Sequence, residues 1–433
     1  MSLLVYTPKI TPRFRYVFRQ LFVRILDVPL TFTSRLDEFV AFSGPKFSYS
    51  QDQLGREFHV YATPLLWEQG IQDRPLELSS WKGLPVIFSH DRPSRIPFDL
   101  FAASFYCLSR YEEHVPHLQD TNGRYKKEQS WVVAEGHLQK PLVDLWALAF
   151  WEALQEEFPD LSVSKEKSKA SKLPLIEVVH PLKYLFKPTF TKIIQCLHSL
   201  WVLHIWDVIE QLLVELRLVK DPYDTYEILN QQIGDSAVKP QFFFSFAQKA
   251  WDGLAVNIHN TKFQSLVKSI SDDFNTSLLV SSHAQQHQKD LTEEIKNIEK
   301  LIHRPIHTTR FNKGLRQLAV TYPQLLQQEV IKDFSMGYES EIGYRASTAV
   351  PFFFYDLQNE YQTPLLLYPV LTTEAALRKL TSTQAFETLN RLYVALPTPT
   401  AVQCVVFTNA IWQDENVNAS WKKEFFQYLE VDA

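Results

Sequence analysis

The sequence predicts an α/β protein of two domains, on three observations. The chain has 433 residues, beyond the roughly 250–300 at which a single hydrophobic core stops growing. A Ser- and Lys-rich stretch, SVSKEKSKASK (Ser162–Lys172), interrupts it. Beyond that stretch short apolar runs alternate with helical patterns, as in a mainly parallel sheet or barrel. The composition, 45% hydrophobic and 14% aromatic, supplies real cores. The expected division is residues 1–161, a linker at 162–173, and residues 174–433.

In the first part Leu3–Tyr6 reads as a strand and Thr11–Leu26 as a helix with one apolar face. Its arginines, Arg13, Arg15, Arg19 and Arg24, read as a solvated face. Val86–Phe88 is a short strand. Pro97–Glu113 and Leu142–Glu157 are apolar helices, and Trp146, Trp151, Trp201 and Trp206 read as core. In the second part Leu175–Val179 is a short apolar run, and a helical zone extends to about Val219. QFFFSF (Gln241–Phe246), Ser277–Val280, Pro351–Tyr355, Leu365–Tyr368 and Gln403–Phe407 read as strands. Asp290–Ile302 is a helix with Leu291, Ile295, Ile298 and Ile302 on one face, and Asp290 with Glu293 has the spacing of a capping box.

Bulk properties exclude several classes. The net charge of -5 gives no basic field for nucleic acid. Only 11 glycines are present and none forms a phosphate loop, nor is there a G-x-S-x-G elbow. Cys107, Cys196 and Cys404 are scattered, which suits a reducing compartment. Pro8, Pro12 and the early arginines break any signal-like apolar region, and Leu197–Leu218 is too polar to span a membrane. The expected setting is the cytoplasm. Oligomeric state is not legible.

Several distinctive strings occur in order: PFDLFAASFYCLSRYEEHVPH (Pro97–His117), NGRY (Asn122–Tyr125), KPLVDLWA (Lys140–Ala147), KDPYDTY (Lys220–Tyr226), the FFF strand, and DFSMGYESEIGYRASTAVPFFFYDL (Asp333–Leu357). In them the chain resembles a polysaccharide deacetylase-like family of Bacteroidetes-type bacteria over nearly its whole length. The resemblance implies an N-terminal α/β accessory domain followed by a deformed (β/α) barrel related to chitin-oligosaccharide deacetylases. Such enzymes remove acetyl groups from N-acetylated sugars. An Asp acts as base, a second Asp with two His (or a His and a Ser) holds a divalent metal, and a late His serves as acid.

Carried over residue by residue, the motifs are damaged. In PLIEVVHP (Pro174–Pro181) Glu177 stands at the base position and Val179 at the metal carboxylate. Valine has no lone pair to offer a cation, and His180 points to the opposite strand face. The second motif has two registers: one places Val280 at the His ligand, the other uses HAQQH, with His283 and His287 as imidazole ligands. Arg310 in HTTRF matches the arginine that orients the base. Asn409 in VVFTNAIW takes the place of the general acid, which an amide cannot replace.

Other polar groups have two readings each. Glu341, Tyr344 and Arg345, in a loop at the barrel mouth, bind sugar groups or form a buried ionic network. Asp221 and Asp224 bind a sugar or a cation, or cap a helix. The charge run Arg110, Glu112, Glu113, His114 is a solvated face or an interdomain contact. Three functions follow. One is a catalytically impaired protein that binds a glycan, a glycan precursor or a partner in surface-polysaccharide metabolism, with no cofactor. Another is an active N-deacetylase or amidohydrolase using Zn2+ or another divalent metal at His283 and His287 with Glu177 or a further carboxylate. The third is a structural or interaction protein whose barrel mouth is filled.

Overall fold

The computed structural model describes residues 3–161, 170–185, 205–224, 238–247, 256–412 and 418–430, with single positions 193, 197, 201, 226 and 233. The first domain is built on a parallel sheet of β1 (Leu3–Tyr6), β2 (Leu30–Thr33), β3 (Lys46–Ser50) and β4 (Phe58–Tyr61), in the order β2-β1-β3-β4. Helix α1 (Pro12–Phe18) starts where Thr11 accepts the Phe14 N–H at 3.1 Å and Pro12 fills the first turn. It continues as a wider, π-type turn over Arg19–Ile25. Asp99 caps α2 (Leu100–Leu108), accepting from the Phe101 and Ala102 N–H groups at 3.1 and 3.0 Å. Helices α1, α2 and α3 (Leu142–Glu157) pack on the sheet through aromatic rings. Phe18 stacks on Phe101 at 3.9 Å, and Phe47 meets Phe150 edge-on at 5.4 Å. A hairpin of β5 (Ser79–Trp81) and β6 (Leu84–Val86) covers one side.

The second domain is a closed barrel. Strands β7 (Ser171–Val178), β8 (Gln241–Phe244), β9 (Thr276–Val280), β10 (Thr308–Phe311), β11 (Lys332–Met336), β13 (Tyr361–Thr373) and β14 (Val402–Thr408) pair in parallel around a ring. The ring closes through β11 with β13 and β14 with β7. Strand β12 (Phe352–Asp356) lies antiparallel on β13, outside the ring. Strand alternation divides the side chains. Leu175, Phe243, Leu279, Phe334, Val370, Cys404 and Val406 form a cluster of their own inside the barrel, whereas Ile176, Val178, Phe242 and Phe244 join the outer core. The barrel is therefore filled below its mouth, as small parallel barrels are.

The two domains share one continuous hydrophobic core. Tyr16 packs on Tyr355 at 5.1 Å and donates to the Phe353 carbonyl at 2.8 Å. Arg13 is not solvated: it is buried against Glu360, with Nε 2.8 Å from Oε2. The exposed charge expected along α1 holds for Arg15 and Arg19 only.

Other expectations change too. Trp146 and Trp151 are buried, but Trp201 and Trp206 are 83% and 82% exposed, so they are not core. The helix read from Asp290 begins at Gln288, as α6 (Gln288–Ile302). His287 is its N-cap residue and makes no side-chain capping bond, so the capping box is absent. Strand β7 begins at Ser171, inside the segment read as a linker; residues 162–169 lie outside the described residues. Of the long helical zone, the described helix is α4 (Ile205–Glu215). Between it and α6 lies α5 (Thr261–Asp273), capped by Asn260.

Candidate functional site

The C-terminal ends of the barrel strands, where barrel enzymes place their chemistry, gather polar side chains. Glu177 lies on the inward face near the end of β7. Arg310, inward on β10, is 1% exposed and donates three ways: Nε to Glu177 Oε1 at 2.5 Å, Nη1 to the Phe334 carbonyl at 2.6 Å, and Nη2 to Glu339 Oε1 at 3.0 Å. Burial is the largest influence on Glu177 and pushes its carboxyl up. Arg310 pulls the other way, and the charges of Glu339 and Glu374 add to the upward push. Glu374, after β13, is itself taken by the Thr408 N–H at 2.7 Å and by Arg378.

Asn409 closes β14 onto β7. Its N–H donates to the Glu177 carbonyl at 3.1 Å, and its Nδ2 donates to the His180 carbonyl at 2.8 Å. The position of the expected general acid is a backbone brace, 2% exposed. Val179 packs against the apolar cluster inside the barrel.

The two imidazoles lie on the turn between β9 and α6, at the rim. His283 and His287 rings are 4.3 Å apart, and His283 Nε2 is 3.3 Å from Asp290 Oδ2. Among the described residues neither has a hydrogen bond or ion pair to Glu177 or Arg310, and no group of three His, Cys, Asp or Glu side chains could hold a metal. The residues present do not fit a divalent cation between Glu177 and the imidazoles.

Beside Glu339 a cleft of about 610 Å³ opens between the domains. One wall is the first domain's segment from Asp120 to Glu128, including Arg124, Tyr125 and Lys127. The other is Gly314, Leu315 and the loop from Gly337 to Ser340. The two glycines have a geometric role. A Cβ on Gly314 would stand 2.9 Å from Glu339 Cγ, and one on Gly337 would stand 2.7 Å from the Val370 carbonyl oxygen. Gly314 also has φ +82, which side chains rarely adopt. Without them the Glu339 loop could not lie this close to β10 and β13.

Behind the cleft the first domain is ion-paired to that same loop. Arg110 Nε donates to Glu113 at 2.8 Å and Nη2 to Glu112 at 2.7 Å, while Nη1 reaches the Arg345 carbonyl. Arg345 returns two bonds to Glu113, at 2.9 and 2.6 Å. Burial opposes charge on Glu113, yet Arg345 and Arg110 hold it at about 2. The charge run Arg110–His114 is thus an interdomain contact. Asp144 on α3 anchors the same loop, accepting from Thr348 Oγ1 and from the Ala349 N–H at 2.8 Å.

Of the expected ligand-binding residues, Arg345 alone lines the cleft. Glu341 pairs with Lys127 at its edge, and with Lys379 at 3.8 Å. Tyr344 is 1% exposed, with its ring in the core. Asp221 is filled by the N–H groups of Lys183, Tyr184 and Leu185 at 2.8 to 3.3 Å and clamps that loop, with the Asp224 N–H on its carbonyl at 2.9 Å. Asp221 illustrates a general competition. Short acids before turns satisfy backbone donors, and that use competes with ligand binding. Sequence reasoning missed Glu339, Glu374 and the cleft. The one usable signal was Glu339 between two of the few glycines, Gly337 and Gly343.

Comparison with known proteins is sparse. Residues 3–159 match a family profile described as a family of unknown function, DUF7033. No curated protein matches. Among solved structures, a polysaccharide deacetylase-type protein from Mycobacterium smegmatis is similar at 11% identity and TM-score 0.37, over 62% of this chain and 87% of that one. A 4-alpha-glucanotransferase from Thermococcus litoralis is similar at 11% identity and TM-score 0.36, over 61% of this chain and 38% of that one. A GH138 enzyme targeting pectin rhamnogalacturonan II gives 9% identity and TM-score 0.25, over 99% and 64%. The strand order, rather than these scores, defines the barrel.

Proposed function

We propose that this chain is a carbohydrate-binding protein on a deacetylase-type barrel, taking a glycan or glycan precursor in the interdomain cleft without metal-dependent hydrolysis. One observation carries the reading: Arg310 holds Glu177 at 2.5 Å and Glu339 at 3.0 Å, and Glu339 in turn lines a cleft of about 610 Å³. A carboxylate committed to a buried guanidinium is a poor general base, because releasing it leaves an uncompensated charge. The same clamp orients Glu339, which is partly exposed to the cleft, as an acceptor for sugar hydroxyls. The cleft falls in the size range of small-ligand sites. Its lining of tyrosine, arginine, lysine and carboxylate suits a polar ring better than an apolar ligand.

Calorimetric titration with N-acetylated and de-N-acetylated oligosaccharides tests this, alongside acetate release in the presence of added Zn2+. The expected result is binding that Tyr125→Ala and Glu339→Gln weaken about tenfold or more, without acetate release. Acetate release that depends on Zn2+ and is abolished by Glu177→Gln would overturn it, in favour of an active deacetylase. Absence of binding to every glycan in the series would assign the fold a structural or partner-binding role.

A further inference from the structure

The lower end of the barrel, opposite the interdomain cleft, is not closed by apolar side chains. Leu173, Gln241, Ser277, Thr308, Lys332 and Tyr368 each stand two positions before an inward residue, namely Leu175, Phe243, Leu279, Arg310, Phe334 and Val370. Strand alternation therefore turns all six inward. A packed parallel barrel fills such a layer with bulky branched residues, yet here the layer holds Gln, Ser, Thr and Lys. These residues border a cavity of about 400 Å³. Phe334 and Tyr368 also line it, with their rings stacked at 4.3 Å.

The charge of this cavity opposes that of the chain, whose net charge is -5. Among the described residues Lys332 and His307 line it and no Asp or Glu does. The Lys332 ammonium makes no hydrogen bond or ion pair within the described protein. Asp333, next in the chain, lies on the opposite strand face and is taken by the Ser335 N–H at 2.9 Å and the Ser335 hydroxyl at 3.0 Å. His307 Nδ1 donates to the Glu329 carbonyl at 3.0 Å, so the neutral ring keeps Nε2 as an acceptor. Gln241 Nε2 donates to Ser277 Oγ at 2.7 Å and braces the rim. A second cation stands nearby. Arg24 lies over the Phe353 ring at 4.2 Å, and Phe353 shares with Lys332 an adjoining groove that also has no acidic lining.

We propose that the base of the barrel binds a monosaccharide carrying one anionic group, at a site separate from the interdomain cleft. Lys332 supplies the unneutralised charge that a phosphate or carboxylate requires. The Phe334 and Tyr368 rings offer apolar surface to the C–H face of a sugar ring. Thr308 and His307 Nε2 meet hydroxyl groups at the rim. A bare anion would leave the aromatic floor unused. An apolar acid would leave the rim groups without partners, which costs free energy. An anionic sugar satisfies the charge, the floor and the rim together.

The test is calorimetric titration of the full chain with glucosyl phosphate, glucuronate, glucose and inorganic phosphate. At least one of the two anionic sugars should bind, with glucose and inorganic phosphate each weaker by about tenfold or more. Binding of glucosyl phosphate alone assigns the anionic group as phosphate, and binding of glucuronate alone assigns it as carboxylate. Lys332→Met should weaken that binding about tenfold or more with the thermal midpoint unchanged, and Lys332→Arg should keep most of it. Tyr125→Ala, in the interdomain cleft, should leave it unaltered, which separates this site from the cleft. Absence of binding by both anionic sugars would overturn the proposal. So would inorganic phosphate binding as tightly as either sugar, or binding that Tyr125→Ala abolishes and Lys332→Met does not.

Discussion

The barrel mouth and the domain seam each bury arginine against glutamate, with different stoichiometry. At the mouth one guanidinium, Arg310, serves two carboxylates, of which Glu339 reaches the cleft. At the seam Arg110 and Arg345 serve Glu112 and Glu113, all buried. A balanced buried network leaves no acceptor for a ligand and fixes geometry. An unbalanced one that opens to solvent keeps a carboxylate edge available. The seam serves as scaffold and the mouth as a candidate site for this reason.

The comparison breaks most visibly at the seam. Arg345→Met should cost about 3–5 kcal/mol in urea unfolding, because Glu113 is left buried without its bidentate partner. Adding Glu113→Leu should recover much of that loss, since a buried pair replaced by apolar groups is close to neutral. A loss below about 1 kcal/mol for the single change would mean that the seam is wetter than its geometry.

At the mouth Arg310→Met should cost less, about 2–3 kcal/mol at neutral pH, because Glu177 can take up a proton and Glu339 can turn to solvent. Its carboxyl, already pushed up by burial, rises further without Arg310. A folded-state value above the unfolded one means that the folded protein holds the extra proton, so stability falls as pH rises from about 4.3. The deficit against wild type should therefore grow between pH 5 and pH 8. A deficit that shrinks over that range would contradict the assignment.

Asp144 sharpens the seam from its other side. Burial pushes its carboxyl up to about 7, with Thr348 and Ala349 opposing. The folded form binds the proton that the unfolded chain releases near pH 4, so this group makes stability decline as pH rises from about 4 to 7. Asp333, pushed by burial to about 6, acts in the same direction. Asp144→Asn should remove about 1–2 kcal/mol from the difference between unfolding free energies at pH 5 and pH 7, leaving the Asp333 slope. The smallest effect belongs to the rim. Lys127 and Glu341 are both about one-third exposed, and Lys127→Ala should change stability by no more than about 0.5 kcal/mol.

Much of the barrel was legible where a strand carries its own apolar signal, whereas the short, more polar strands Thr308–Phe311 and Lys332–Met336 were not read from the sequence. QFFFSF and VVF announce buried strands, and Leu142–Glu157 matches its helix end for end. Glu177 and Arg310 were chosen because PLIEVVHP and HTTRF match motif positions of the resembled family, and the structure places both on strands. Loop residues resisted. Asp221 and Tyr344 have the right chemistry for a ligand, but a backbone turn and a core pocket claim them. Glu339 went unnoticed because its role depends on Arg310, 29 positions away, and on the space two glycines leave. Trp201 and Trp206 were misjudged because apolar identity says nothing of which way a helix is turned.

The amino-acid sequence by itself determined the alternation of strand and helix, the carboxylate at Glu177 and the guanidinium at Arg310, and the absence of a carboxylate at Val179. These follow from local periodicity and from side-chain chemistry. Only the tertiary structure decided that Arg310 bridges two glutamates, that Arg110 and Arg345 lock one domain to the other, and that α4 turns its apolar side outward. Those facts depend on ring closure of the barrel and on the packing of segments more than 200 positions apart, and no local pattern encodes such distances.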